Sequence, residues 1–444
     1  MAMDLTSITP ILYELYIPGL QVNIESEDFF SNILKAAQRV ENVGQNFNVK
    51  VQTGFSEGIS MSPSATAALP DAGQCQYQEY RGTTRSIDAH IRIYRKLVDM
   101  TNGFQKGALN ILDGEMRGVE GALKSENERM VISDGGVTPI AVVASATVST
   151  ESDTWVTVTV DDGGGIALCG SRWPTRYFRR GMFIDILAAN HTSVSSTATE
   201  SLEILTIASG TVIKIKCATN AAADTLAALL ADGQLIYHQN GYNAEFEGIK
   251  SLFGDTDNQL WGSSDADRAV TNNEHLIPFV VRVNATGLIE SGAATGTPKD
   301  WSILNVVETL DHLQNVNKAK LADLVMLAEK SILNRYITMK QASGMYTVES
   351  ATIEGWPFQT VMCEGVKLTA PPYMFSNAIS IVPIKKMMKF KCRDIDFVSE
   401  FGGIWQKVPG YDAAEAYLSG TLQYGCENFQ HGGTIYDLKG AYDA

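Results

Sequence analysis

The sequence predicts an α+β fold that carries an inserted all-β domain, and three patterns predict it. Residues 103–132 repeat apolar side chains at helical spacing. Residues 136–243 break into short alternating strands separated by turn clusters. On either side of that block, helical and extended stretches mix without any fixed-period repeat.

The bulk composition supports a packed protein. The 444 residues suffice for about three domains, and 45% hydrophobic with 19% charged residues is ordinary globular usage rather than a disordered one. A net charge of −15 argues against a protein that grips nucleic acid, which would present a basic surface. It still permits DNA to be enclosed without tight contact. The six cysteines, Cys75, Cys169, Cys217, Cys363, Cys392 and Cys426, contain no C-x-x-C pair and read as free thiols in a reducing compartment. The opening residues lack the basic and apolar pattern of a signal peptide. No apolar run approaches the roughly 20 residues of a membrane span. Cytosolic synthesis without a membrane partner is the expectation.

Taken in order, residues 1–47 read as an arm with a short amphipathic helix over 29–40, ended by Gly44. Residues 48–97 read as a long hairpin. Val49 and Val51 alternate on the way out, and Ile87, Ala89, Ile91 and Ile93 alternate on the way back. The intervening Gly54, Gly58, Pro63, Pro70 and Gly73 cannot build a core, so this part is exposed or becomes ordered on a partner.

The 103–132 stripe comprises Phe104, Ala108, Leu112, Met116, Val119 and Leu123, with Asp113–Arg117 and Glu120–Lys124 as i,i+4 pairs on the wet side. Such a helix is about 45 Å long at a 1.5 Å rise. Gly114, Gly118 and Gly121 share a neighbouring face, and each costs about 1 kcal/mol relative to alanine. Their spacing points to another backbone crossing closely there, against coincidence in a glycine-rich chain.

In the 136–243 block the strand faces are Val156, Val158 and Val160; Ile184 and Ile186; Leu205 and Ile207; and Val212 with Ile213 and Ile215. Turn clusters such as Asp161-Asp162-Gly163-Gly164-Gly165 separate them, which suggests a small barrel or sandwich of domain size. Beyond it, helices are expected over 301–315, 318–336 and 413–420. Extended stretches are expected over 277–283, 379–383, 387–392 and 395–401.

Three groups of segments together resemble the major capsid proteins of tailed bacteriophages of the Hong Kong type. The first is Leu12-Tyr13-Glu14-Leu15-Tyr16 with Val43-Gly44-Gln45-Asn46-Phe47-Asn48-Val49-Lys50-Val51, similar to that family's entry arm. The second is Phe178-Arg179-Arg180-Gly181-Met182 and Gly248-Ile249-Lys250-Ser251-Leu252-Phe253, similar to segments beside inserted domains. The third runs from Phe401-Gly402-Gly403-Ile404-Trp405 through Gly410-Tyr411-Asp412-Ala413-Ala414-Glu415-Ala416-Tyr417 to Asn428 and Thr434-Ile435-Tyr436-Asp437-Leu438. No one motif is specific; the sequential order over nearly the whole chain carries the resemblance.

The resemblance implies an N-terminal arm (1–47), an extended hairpin loop overlapping a neighbour (48–97) and a peripheral domain with its spine helix (98–135). It then implies the inserted β domain (136–243), a return segment (244–299), an axial domain (300–390), a peripheral sheet and helix (391–424), and a last axial strand (425–444). The implied function is a shell subunit forming pentamers and hexamers of an icosahedral capsid around double-stranded DNA. It would be made in the host cytoplasm and end in the virion. Implied partners are neighbouring subunits, a portal, and decoration and scaffolding proteins. Because the chain begins almost at the arm, scaffolding is expected from a separate protein. Some members cross-link this loop through a lysine, but residues 51–95 contain none, the flanking ones being Lys50 and Lys96. No lysine-based chainmail is therefore expected.

Candidate assembly residues follow. Met61, Leu69, Tyr77 and Tyr80 are large side chains in a small-residue loop and suit docking on a neighbour, the alternative being that they fold onto their own subunit. Arg172, Arg176, Arg179 and Arg180 interleave with Trp173, Tyr177 and Phe178, a composition of interfaces and, less fittingly in an acidic chain, of nucleic-acid sites. Lys385, Lys386, Lys389 and Lys391 suit a solvated strand edge as well as a charged partner.

Enzymatic readings find little support. G-x-S-x-G, the phosphate-binding loop, H-E-x-x-H and G-x-G-x-x-G are all missing. His431-Gly432-Gly433 reads as a turn, and Asp255, Asp257 and Asp265 as a solvated turn without the EF-hand glycine. No catalytic, cofactor-binding or metal residue is assigned. A nanocompartment shell packaging an enzyme, similar to encapsulins, and a β-rich adhesion protein are the rival readings.

Overall fold

The computed structural model describes residues 38–41, 46–54, 73–94, 105–147, 154–192, 202–254, 259–263, 266–270, 273–342, 352–353, 356–357, 361–398 and 405–442. Strand β1 (Gln38–Glu41) precedes the antiparallel pair β2 (Asn46–Gly54) and β3 (Gln76–Thr83). Strand β4 (Arg85–Tyr94) leads to helix α1 (Gln105–Ile132). The next block holds six strands and one helix: β5 (Ala141–Thr147), β6 (Trp155–Asp161), β7 (Phe183–Leu187), β8 (Leu202–Ser209), β9 (Val212–Lys216), α2 (Asn220–Leu229) and β10 (Leu235–His238). Then come α3 (Ile249–Phe253), β11 (Phe279–Val283), β12 (Ile289–Ser291), α4 (Ile303–Asn315), β13 (Leu324–Ala328) and α5 (Lys330–Ala342). The two-residue pair β14 (Thr352–Ile353) and β15 (Trp356–Pro357) precedes β16 (Val361–Cys363), β17 (Val366–Thr369) and β18 (Ile379–Pro383). The chain closes with β19 (Met387–Phe397), β20 (Gln406–Lys407), β21 (Ala413–Cys426) and β22 (Gly433–Tyr436).

The middle block closes into a barrel in the order β10-β5-β6-β9-β8-β7. Closure leaves no strand edge unpaired, and every second side chain points inward. Val156, Val158, Val160, Ile184, Ile186, Ile213, Ile215 and Ile236 fill its interior. Helix α2 packs on β5 and β6, its first turn capped by the Thr219 hydroxyl accepting from Ala222 N. One strand face differs from the expected one. Leu202 and Ile204 point inward, whereas Leu205 is half-buried and Ile207 exposed. Register shifts between Ile204 and Thr206 and between Ile207 and Ser209 break the period-two rule there.

A seven-stranded sheet follows the order β12-β11-β22-β18-β13-β17-β16. Val306, Leu310 and Leu313 of α4 and Ile332, Leu333 and Tyr336 of α5 cover one face, against Met326, Ile379, Ile381 and Ile435. Val325, Leu327 and Val382 face the other core, with α3 lying against β18. The helix expected over 318–336 is therefore divided: Leu324–Ala328 is a strand in mid-sheet. All five of its residues are buried, and a run with no polar face suits a strand covered on both sides.

In the five-stranded sheet, β21 carries β19 and β20 along one edge and β4 along the other, while β1 pairs parallel to β19. The helix expected over 413–420 is part of this long strand. Ala-Ala-Glu-Ala-Tyr-Leu suits a helix, yet Ala416, Leu418, Gly420 and Leu422 turn inward while Glu415 and Tyr417 turn outward. Ladder pairing on both sides overrides local propensity. Gly420 has no room for a side chain, since a Cβ would lie 2.5 Å from Ile395 Cγ1.

Two further expectations are corrected. The strand bearing Ile87, Ile91 and Ile93 alternates as read, but it pairs with β21, and the hairpin's return strand is β3. In the short helix read over 29–40, residues Gln38, Arg39 and Val40 are strand, and the remainder lies outside the described residues.

Helix α1 buries Met116 and Leu123, and nearly everything from Glu126 to Asp134 is buried. Among the described residues no backbone makes the close crossing expected at Gly118 and Gly121: both are exposed, and a Cβ on either meets none of the described atoms within 4 Å. The surroundings of Gly114 lie outside the described residues.

Candidate assembly surfaces

The hairpin is anchored by an aromatic cluster on its own subunit. Phe47 stacks on Phe390 with centroids 4.1 Å apart and meets Trp261 edge-on at 5.6 Å. The Trp261 indole donates to Tyr424 O at 2.8 Å, and Thr83 Oγ1 donates to Trp261 O at 3.1 Å. Gly82, opposite Phe47 in the ladder, lets this happen; a Cβ there would lie 2.8 Å from Trp261 Cβ. Val49 and Val51 are buried on the same face.

Tyr80 completes the anchor, which corrects its expected role on a neighbour. Only 1% of it is exposed, and its hydroxyl bonds Asn273 Oδ1 at 3.3 Å and His275 Nε2. Burial pushes the Tyr80 phenol up to about 12 and His275 below its ordinary value. Tyr77, by contrast, is 65% exposed. Met61 and Leu69 lie outside the described residues.

The arginine cluster divides in two. Arg176 is turned inward. It pairs with Glu329 at 2.9 Å and donates to Met374 O at 2.7 Å and Leu168 O at 2.8 Å. Tyr177 Oη donates to Tyr373 O at 2.7 Å, its phenol pushed up to about 12 by burial. Arg179 reaches α1, bonding Glu126 at 2.6 Å and Ala122 O at 3.0 Å. Arg176 and Arg179 are therefore intramolecular ties, because each finds buried acceptors within reach. Arg172 and Trp173 stay exposed, with the Arg172 guanidinium 5.9 Å from the Trp173 ring and 4.4 Å from that of Tyr442. Arg180 is exposed as well.

Beneath the barrel lies a buried polar joint that the sequence reading missed. Arg129 forms a two-pronged pair with Glu245 and bonds Glu126 at 2.9 Å. Burial alone would raise the Glu126 carboxyl, but Arg129, His238 and Arg179 hold it below its usual range. Asp134 is likewise lowered against its burial, chiefly by Lys250 at 3.1 Å, with Thr138 hydrogen bonds assisting. Glu247 goes the other way and is raised by burial. Ion pairs spaced at 3, 116 and 53 residues give no local motif, save the i,i+3 spacing of Glu126 and Arg129.

The outer face of β4 and β21 forms a second unforeseen patch. Arg92 lies over the rings of Tyr411, at 4.9 Å, and Tyr94, at 5.4 Å. His90 stacks on Tyr417 and sits 3.3 Å from Glu415. Lys389 and Lys391 are not on a free edge, since β19 lies between β1 and β21, and Lys385 and Lys386 lie in the 3-10 turn just before that strand. Lys385 pairs with Asp323, and Lys386 with Glu427 at 3.0 Å.

Among the described residues no group of three His, Cys, Asp or Glu is arranged to hold a metal ion. Asp255, Asp257 and Asp265 lie outside them. Among them, too, no helix is long and apolar enough to cross a membrane. His431 ends a 3-10 turn directly before β22.

No family model and no curated protein matches the sequence. Solved structures do. The chain is similar over 99% of its length, and 95% of the other chain, to the cyanophage A-1(L) capsid asymmetric unit, at 11% identity and a TM-score of 0.49. It is similar to the capsid of the native GTA particle over 92% of this chain and 90% of that one, at 10% identity and a TM-score of 0.45. The holo-SrpI encapsulin complex from Synechococcus elongatus PCC 7942 aligns over 99% and 91%, at 8% identity and a TM-score of 0.39.

Proposed function

We propose that this chain is a non-enzymatic major capsid protein of the Hong Kong type, which assembles into pentamers and hexamers of an icosahedral shell around phage double-stranded DNA. The order of elements carries the reading. An N-terminal strand and a hairpin precede a 28-residue helix, a β barrel follows, and the chain then builds one sheet before returning to complete the other. In this reading α1 is the spine and the five-stranded sheet belongs to the peripheral domain. The seven-stranded sheet with α4 and α5 is the axial domain, and the barrel is the inserted one.

The hairpin is the element that reaches a neighbour. Its base is already ordered on the subunit, which lowers the entropic cost of each contact it makes with a neighbour. Many weak contacts of this kind then close a stable shell together. Tyr77 and the Arg172, Trp173 and Arg180 surface are the described candidates for contact with other copies. An acidic chain that encloses DNA without gripping it needs a separate machine to load it, which fits a portal. Scaffolding and decoration proteins belong to the same reading.

Electron microscopy of the purified chain tests the proposal. Closed isometric shells, with nuclease-resistant DNA in particles from infected cells, are expected. An enzyme co-purifying inside the shells would favour a nanocompartment. A chain that stays monomeric at high concentration would sink the shell reading and favour an adhesion protein.

A further inference from the structure

The barrel touches both halves of the subunit at one turn. Its chain enters and leaves through a pinched neck beneath α1, where Gly136 lies so close to the Gly241 carbonyl that no side chain fits. Asn243 N donates to Gly136 O at 3.3 Å in the same neck. A tethered barrel held only there would be free to swing. The turn at 176–179 prevents this, because its two arginines, three residues apart, reach in different directions. Arg179 holds α1 through Glu126 and the Ala122 carbonyl. Arg176 holds the seven-stranded unit through Glu329, between β13 and α5, and through the Met374 carbonyl before β18.

Independent contacts repeat the attachment to the seven-stranded unit. A Cβ on Gly170 would lie 2.6 Å from Ser376 Cβ, and one on Gly165 would lie 2.5 Å from Gly296 Cα. The Gly296 loop is itself held, since Asp437 accepts from Thr295 N at 2.9 Å, Thr295 Oγ1 at 2.6 Å and Gly296 N at 3.2 Å. Elsewhere the two halves meet along a seam in which α3 packs on β18, Val325, Leu327 and Val382 join the core of the α1 unit, Thr434 Oγ1 donates to Phe253 O at 2.8 Å and Tyr373 Oη donates to Ser125 Oγ at 3.4 Å. One seam of that kind is a hinge. A second support away from it fixes the angle.

We infer that the barrel is a strut that fixes the angle between the α1 unit and the seven-stranded unit and thereby sets the curvature the subunit imposes on a shell. The curvature part rests on the capsid reading; the strut does not. A subunit whose halves are held at one angle presents its neighbours with one geometry, so shells close at one diameter. Releasing Arg176 from Glu329 frees the seam to adopt several angles.

The test uses full-length Arg176→Met and Glu329→Ala, the latter removing the acceptor from the other side of the pair. Amide hydrogen exchange on the unassembled subunit is expected to rise at least tenfold in 295–297 and 373–376. Exchange unchanged in both variants overturns the strut. Shells of folded variants are expected to spread over several diameters in micrographs where the wild type gives one. A single wild-type diameter from variants with raised exchange overturns the curvature claim alone. If the wild type closes no shell, the capsid reading falls and takes the curvature claim with it, while the exchange result still decides the strut. Should Arg176→Met fail to fold, Glu329→Ala supplies both measurements.

Discussion

Replacing Arg129 with methionine tests the buried joint under the barrel. The methionine keeps the apolar stem but removes the guanidinium, whose side chain is 4% exposed and which serves Glu245 and Glu126 at once. Glu126 retains Arg179 at 2.6 Å. Glu245 retains only a 3.3 Å hydrogen bond from Ser133 among its described partners. Removing one side of a buried pair costs about 3–5 kcal/mol, because the remaining charge is left desolvated. With a urea slope of about 3 kcal/mol/M, the unfolding midpoint should fall by about 1–1.7 M. Far-UV circular dichroism during urea titration reads this directly. The deficit should shrink in acid, where the stranded carboxylate can take a proton. Adding Glu245→Gln to Arg129→Met should recover part of the loss, since it removes the unpaired charge. A midpoint shift below about 0.3 M, or a larger one independent of pH, would refute the idea that paired charges hold this joint.

The remaining predictions probe other parts of the fold. Glu247→Gln and Asp134→Asn should have opposite pH signatures. Glu247 is raised in the folded state, so its stabilisation is present below the ordinary carboxylate range and is lost as pH rises. Its amide replacement should raise the melting temperature at pH 7, with the gain vanishing near pH 4. Asp134 is lowered, so its stabilisation is present above the ordinary range and is lost as pH falls; Asp134→Asn should lower the melting temperature at pH 7 but not in strong acid. Gly82→Ala forces Phe47 from Trp261 at a cost of about 1–3 kcal/mol, and trypsin should then cut faster after Lys50 and Arg81. Ile213→Ala should cost about 2–5 kcal/mol by opening a cavity in the barrel, detected as faster cleavage at Lys214 and Lys216. Mature particles should give intact monomer on a denaturing gel; a ladder of covalent oligomers would contradict the reading drawn from a loop without lysine.

The sequence disclosed elements whose side chains repeat at their own period. Val156, Val158 and Val160 announce a barrel strand, and Met116, Val119 and Leu123 announce α1. It misled where local preference and tertiary setting disagree. Ala413-Ala414-Glu415-Ala416 is helical by propensity but a strand by pairing, and Leu324–Ala328 is apolar on every side, which removes the periodic signal altogether. Assembly residues were the least legible. Tyr77 and Tyr80 are three positions apart in one strand, and only the ladder phase separates an exposed ring from an anchor. Arg176 and Arg180 likewise divide into an inward tie and an exposed side chain, within a turn that has no periodicity to read. The aromatic anchor joins Phe47, Trp261 and Phe390, and the joint beneath the barrel links Arg129 to Glu245, separations across which no local pattern connects the partners.

Strand β22, Gly433–Tyr436, lies between β11 and β18 inside the seven-stranded sheet. Its place in synthesis therefore governs when the sheet can exist. A nascent chain ending before Tyr436 has a gap in mid-sheet, with two facing ladders of unsatisfied amides and carbonyls. Such edges invite pairing with whatever strand is near, including those of sister chains on the same message. The growing polypeptide thus carries this risk of sticking until Tyr436 has emerged, and insertion of four residues ends it.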